Sequence, residues 1–281
     1  MTVEEMIAER TEKLEAIKDS SNAAVIAKGG SAADDLSGLP AAISSIPSGG
    51  GGAKEPYIEE TYDANGNLID VNLVGYTAIR PYAFYSCQKL ALTSLPSGIT
   101  SIGPHAFNSC TSLALTSLPS GLTSIEVGTF YNCQKLALTS LPSGLISIGD
   151  NAFNSCQKLA LTSLPSGITS IGNYAFSNCA SLALTSLPSG ITSIRNNAFS
   201  SCASLALTSL PSGLTSIGDN AFYNCTKLTS ITFQGKPNSI SSSAFNRCTN
   251  LKTINVPWAS GEVANAPWGA TNATINYNYT G

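Results

Sequence analysis

Charge is scarce in this 281-residue chain: 11% of its residues are Asp, Glu, Lys or Arg, about half the share usual for soluble domains. A formal net charge of −3 spread over such a length leaves no basic stripe, so nucleic-acid binding is not expected. Histidine is nearly absent, with His105 the single example. Without a second His, a motif around a nucleophilic Ser or paired acids at a fixed site, the sequence holds no catalytic constellation and no enzyme is expected. No cofactor is expected either. No apolar run approaches the roughly 20 residues that span a bilayer, which argues against membrane insertion. Residues 1–10 are acidic and helix-forming, lacking the basic start and apolar stretch of a secretory signal. On that reading the chain stays where it is made, and the glycosylation-type triplets at Asn272 and Asn278 carry no weight.

What the sequence has is a period. Phe84, Phe107, Phe130, Phe153, Phe176, Phe199, Phe222 and Phe245 follow one another at a constant step of 23 residues. All eight cysteines keep the same step, at Cys87, Cys110, Cys133, Cys156, Cys179, Cys202, Cys225 and Cys248. Ala-Leu-Thr-Ser-Leu-Pro-Ser-Gly recurs unchanged six times, beginning at Ala91, Ala114, Ala137, Ala160, Ala183 and Ala206. A fixed period of this size predicts a solenoid of stacked coils, each unable to bury its apolar face alone.

Leu90, Leu95, Ile99, Ile102, Ala106 and Phe107 are the inward candidates of one coil. Leu92 and Thr93 compete for a further inward place, because Leu90 and Leu92 share one strand face while Leu95 breaks the phase. Ala106-Phe107 is expected on a short helical or 3₁₀ turn. The Phe and Cys rows are read as structural ladders. Stacked strands bring equivalent residues within disulfide range, but their side chains point in parallel, so the reading is buried, reduced thiols. A straight row also offers no tetrahedral set for a metal.

The ends differ from the middle. Residues 1–48 read as short helices: Val3, Ile7, Leu14 and Ile17 form a brief apolar seam, either a marginal amphipathic helix or a handle for self-association. A Gly-rich linker runs to residue 56. Alternating residues on both sides of Asn65-Gly66 predict a β-hairpin over 57–78 that caps the solenoid. The repeats fill 79–257. Residues 258–281, with Trp258 and Trp268, form an aromatic C-terminal cap or, alternatively, a surface on which a sugar stacks.

Ile148-Gly-Asp-Asn-Ala-Phe-Asn-Ser-Cys156 and Leu251-Lys-Thr-Ile-Asn-Val-Pro257 together resemble the repeat unit of the BspA-type, or Treponema-type, leucine-rich repeats. The resemblance implies an α/β leucine-rich repeat solenoid with parallel strands and a non-enzymatic binding module for proteins or cell-surface glycans. It also implies surface exposure and adhesion to host matrix proteins. The arrangement of short helices, linker and capped solenoid is more loosely similar to phage or prophage tail-associated proteins, with 1–48 attaching to the particle. Phage virion, bacterial cytoplasm and cell surface thus all stand as locations, and a passive structural spacer stands as a further role.

Differences between repeats cluster around Phe and after Cys, on one turn edge. Tyr85, His105, Tyr131, Tyr174, Arg195 and Tyr223 are therefore the candidate binding residues. Thr93, Thr116, Thr139, Thr162, Thr185 and Thr208 recur once per coil, an array read as an uncharged solvated face, with ice-binding solenoids as a distant likeness.

Overall fold

Asp63 closes a tight turn by accepting the backbone N–H groups of Asn65 and Asn67 on its carboxylate, each at 2.9 Å. The computed structural model describes residues 57–280; the expected helices of 1–48 and the linker lie outside them. The turn joins β1 (Tyr57–Tyr62) to β2 (Leu68–Val74) as an antiparallel hairpin. Val71 and Leu73 point inward from β2, and Ala91 N–H donates to the Ile69 carbonyl at 2.9 Å. The hairpin thereby covers the open face of the first coil, the place where a solenoid otherwise exposes core and unpaired backbone.

Beyond it the chain winds through about nine turns. One strand row comprises β3 (Ala78–Ile79), β4 (Ser101–Ile102), β5 (Ser124–Ile125), β6 (Ser147–Ile148), β7 (Ser170–Ile171), β8 (Ser193–Ile194), β10 (Ser216–Ile217) and β12 (Ser239–Ile240). Each hydrogen-bonded pair in this row is parallel and joins a residue to the one 23 positions on, as in Ile125 with Ile148. A second row, β9 (Ser209–Leu210), β11 (Ser230–Phe233), β13 (Thr253–Asn255) and β14 (Thr274–Asn276), forms a four-stranded parallel sheet at the C-terminal end.

The competition between Leu92 and Thr93 resolves in favour of leucine. Leu92, Leu115, Leu138, Leu161, Leu184 and Leu207 are buried, while all six threonines beside them are exposed. In the last repeats Ile231 and Phe233 alternate inward and a regular strand forms. In the first of the six identical repeats the inward leucines stand at Leu90, Leu92 and, half-buried, Leu95, and the equivalents of Leu95 range from half-buried to fully buried at Leu210. An interval of two followed by three breaks the two-residue period of a strand, so in the first five of these repeats the chain bends instead, at Thr93, Thr116, Thr139, Thr162 and Thr185.

The Ala-Phe segment is not helical, and no helix occurs among the described residues. The α component of the expected α/β architecture is therefore corrected to a parallel β-solenoid with turns. Ala106, Asn108 and Cys110 donate backbone N–H groups to carbonyls three residues back, at 3.1–3.2 Å. The intervening His105, Phe107 and Ser109 donate instead to Val127, Thr129 and Tyr131 of the next coil, at 2.7–2.9 Å. His105 and Ser109 sit at φ 55° and 61°, and these left-handed residues turn every second N–H along the stacking axis. A helix would satisfy its N–H groups within itself and leave adjacent coils unjoined.

Phenylalanine fills the centre. The eight rings stack in one unbroken row with centroids 5.1–5.7 Å apart and planes within 18°. Beside the row, each cysteine from Cys110 onward donates its thiol to the carbonyl of the Phe one coil earlier, as Cys133 does to Phe107 at 3.0 Å. The Phe107 carbonyl also accepts the Cys110 N–H at 3.1 Å. A small apolar side chain with one weak donor suits this dry place. All eight thiols are free. Burial pushes their pKa values up, to about 11 for Cys87 and Cys248 at the two ends of the row and well above 9.0 for the others.

At the far end, Trp258 and Trp268 are buried against Phe233, and the Trp268 indole donates to the Ala264 carbonyl at 2.7 Å. Neither ring is open for sugar stacking.

Two outcomes follow from the central rows. Phe153→Ala removes a ring enclosed on both sides and is expected to cost about 3–5 kcal/mol in equilibrium denaturation, more than Phe84→Ala at the end of the row. The thiols set a base limit. Below about pH 9 they are protonated in both folded and unfolded chains and add no pH dependence. Between pH 9 and about 11 the unfolded chain sheds thiol protons that the fold retains, so stability falls with rising pH across that window. Denaturation midpoints measured from pH 8 to 11 check this, and native thiol labelling at pH 8 is expected to reach Cys87 first.

Candidate functional site

Two positions per coil, two residues before and two after each Phe, adopt the left-handed conformation, except at Ser243 before Phe245. The first row holds Tyr82, His105, Gly128, Asn151, Tyr174, Asn197 and Asn220; the second holds Ser86, Ser109, Asn132, Ser155, Asn178, Ser201, Asn224 and Arg247. Gly, Asn and, less often, His suit this region, whereas a Tyr or Arg there stores of order 1–2 kcal/mol. These rows run along the turn edge, outside the Phe column.

The edge assembles two clusters. At the N-terminal end Tyr82 stacks on His105, centroids 5.0 Å apart and planes within 15°, and Tyr85 leans against Tyr82 at 5.8 Å. His105 lies over Gly128, where a Cβ would fall against the imidazole ring. Ser109 donates to Asn108 Oδ1 at 2.9 Å, so the Asn108 amide nitrogen is the donor to His105 Nδ1 at 3.1 Å and the ring proton sits on Nε2. Partial burial lowers the His105 pKa, keeping the imidazole neutral near pH 7. Tyr82 and Tyr85 remain about half exposed, at 56% and 49%.

At the other end Arg247 lies over the Tyr223 ring, 5.4 Å from its centroid. A groove of about 490 Å³ opens there, bordered by Asn246, Thr249, Thr271 and Asn272.

The remaining candidates stand apart. Tyr131 and Tyr174 are exposed on separate coils, and Arg195 projects from the coil between those of Tyr174 and Tyr223. The six residues picked from sequence therefore share an edge without forming one site. Tyr82 and Arg247 were missing from that set. The 23-residue step places Tyr82 with His105 and Tyr174, and Arg247 with seven Ser or Asn residues; an outlier in a left-handed row was the available signal.

A second surface is uniform. The six Thr side chains from Thr93 to Thr208 are exposed, flanked by Ser. Among the described residues no cluster of three or more His, Cys, Asp or Glu side chains could hold a metal, and no helix is long and apolar enough to cross a membrane.

Comparison with known proteins places this architecture. The BspA type leucine rich repeat region matches in six copies over residues 77–206 and 147–266. No curated protein matches the chain. Among solved structures, a leucine-rich repeat protein from Bacteroides ovatus is similar at 23% identity and a TM-score of 0.48, over 80% of this chain and 76% of that one. The leucine-rich repeat protein of T. pallidum is similar at 29% identity and a TM-score of 0.46, over 61% of this chain and 87% of that one. A leucine rich cell surface protein from Faecalibacterium prausnitzii shares 20% identity, with a TM-score of 0.34 over 82% of this chain and 96% of that one. With the repeat matched over more than half of its residues, the chain belongs to the BspA-type leucine-rich repeat family.

Proposed function

We propose that the protein is a non-enzymatic recognition module that binds a cell-surface partner through the turn edge of its solenoid. The observation that carries this reading is the placement of Tyr82, His105 and Tyr174 at left-handed positions that Asn or Gly fill elsewhere. Folding alone favours the small residues there. The exposed rings of Tyr82 and Tyr174, held at a conformational cost, with the half-buried His105 stacked on Tyr82, fit a surface shaped for contact. The repeat family supports a protein-binding or adhesion role of this kind. The rigid stack behind the edge holds the rings in fixed relative positions, so little ordering remains to be done on binding.

A spacer would make the edge irrelevant, and one set of substitutions separates the readings. Tyr82→Asn, His105→Asn and Tyr174→Asn each install a residue at ease in the left-handed region. Combined in the full chain, they are expected to leave stability unchanged or raise it, by up to about 1–2 kcal/mol per Tyr replaced. Binding to intact bacterial cells and to immobilised matrix proteins, measured in parallel, is expected to fall at least tenfold. Undiminished binding by the triple variant, or no binding by the parent chain to either surface, overturns the proposal.

A further inference from the structure

The groove at the C-terminal end of the turn edge has chemistry of its own. Asn265 and Gly269, both left-handed, lie four residues apart, as His105 and Ser109 do. The local hydrogen bonds Trp268 N–H to Asn265 O at 2.8 Å and Ala270 N–H to Pro267 O at 2.9 Å repeat those of the earlier coils. Gly269 lies over Asn246, where a Cβ would meet the amide side chain. Arg247 is exposed and, with Gly269, borders the groove.

Three features converge there. The Arg247 guanidinium carbon lies over the Tyr223 ring in a cation–π contact, and no acidic side chain among the described residues pairs with it. The walls offer amides and hydroxyls from Asn246, Thr249, Thr271 and Asn272. Lys252 Nζ donates to the carbonyl of the lining residue Thr249 at 3.4 Å, which brings a second positive charge near the groove. A guanidinium stacked on an aromatic ring keeps its fork of N–H donors free for a carboxylate. Hydroxyl and amide walls suit the ring hydroxyls of a sugar.

We infer that the Tyr223–Arg247 groove is a subsite for an acidic sugar: a pyranose ring carrying a carboxylate, which Arg247 binds and the Asn and Thr side chains orient. The inference rests on the reading of the turn edge as a recognition surface and names the ligand class at one end of it.

Calorimetric titration of the full chain with glucuronic, galacturonic and N-acetylneuraminic acids, beside glucose, galactose and acetate, tests it. At least one acidic sugar is expected to bind ten times or more tighter than both neutral sugars and acetate. Arg247→Asn, which suits the left-handed position, is expected to abolish that preference with thermal stability retained. Arg247→Lys, which keeps the charge without the fork, is expected to weaken binding at least fivefold. Equal binding of neutral and acidic sugars, acetate competing as well as the acids, no binding at all, or full binding by Arg247→Asn overturns the subsite. Failure here with cell binding still lost in the Tyr82, His105 and Tyr174 variant refutes the sugar assignment alone; sugar binding without cell binding refutes the recognition reading instead.

Discussion

The register of one coil upon the next governs this protein. Each turn hands alternate backbone N–H groups to its neighbour, and each Phe carbonyl from Phe84 to Phe222 accepts one bond from its own coil and one thiol from the coil after it. These bonds can form only if every coil presents the same group at the same height, which demands an unvarying repeat length. The Phe column follows from the same condition, since rings one period apart meet face over face at 5.1–5.7 Å. Cysteine completes it as a side chain small and apolar enough for the dry interior that still carries a donor.

Constant register also divides the surface. Where the six identical segments face outward, the protein presents uncharged Thr and Ser in rows. Where the chain turns through left-handed residues, the side chains project at the edge of the stack without disturbing the core, so variation there carries little penalty for folding. The two aromatic-rich clusters, Tyr82–Tyr85–His105 and Tyr223–Arg247, sit towards opposite ends of that edge. A partner that engaged both would span most of the solenoid's length, which a rigid scaffold permits and a flexible chain does not.

The period was legible in the sequence because equal spacing needs no knowledge of conformation; Phe84 to Phe245 announce the stack by count alone. Leu92 and Thr93 were ambiguous because two apolar phases overlap in one segment, and only three-dimensional packing decides between a strand and a bend. The Ala106-Phe107 turn was misread as helical for a related reason: its signal lies in His105, Ser109 and their equivalents, residues that read as an unconstrained turn until their positive φ is seen. Tyr82 was overlooked because its coil begins beneath the hairpin and looks like half a repeat. Arg247 was overlooked because its neighbours in the row are Asn and Ser, whose shared feature is conformational rather than chemical.

The claim that register holds the fold is tested most directly by comparing two length changes in one denaturation experiment. Deleting residues 137–159 removes one whole period and leaves every surviving group opposite an equivalent partner. Inserting a single Gly after Asn154 changes the length far less but displaces the rest of that coil. The account predicts cooperative unfolding with a modestly lower midpoint for the deletion, and a much larger loss of stability or cooperativity for the insertion. An insertion tolerated better than the deletion would contradict it.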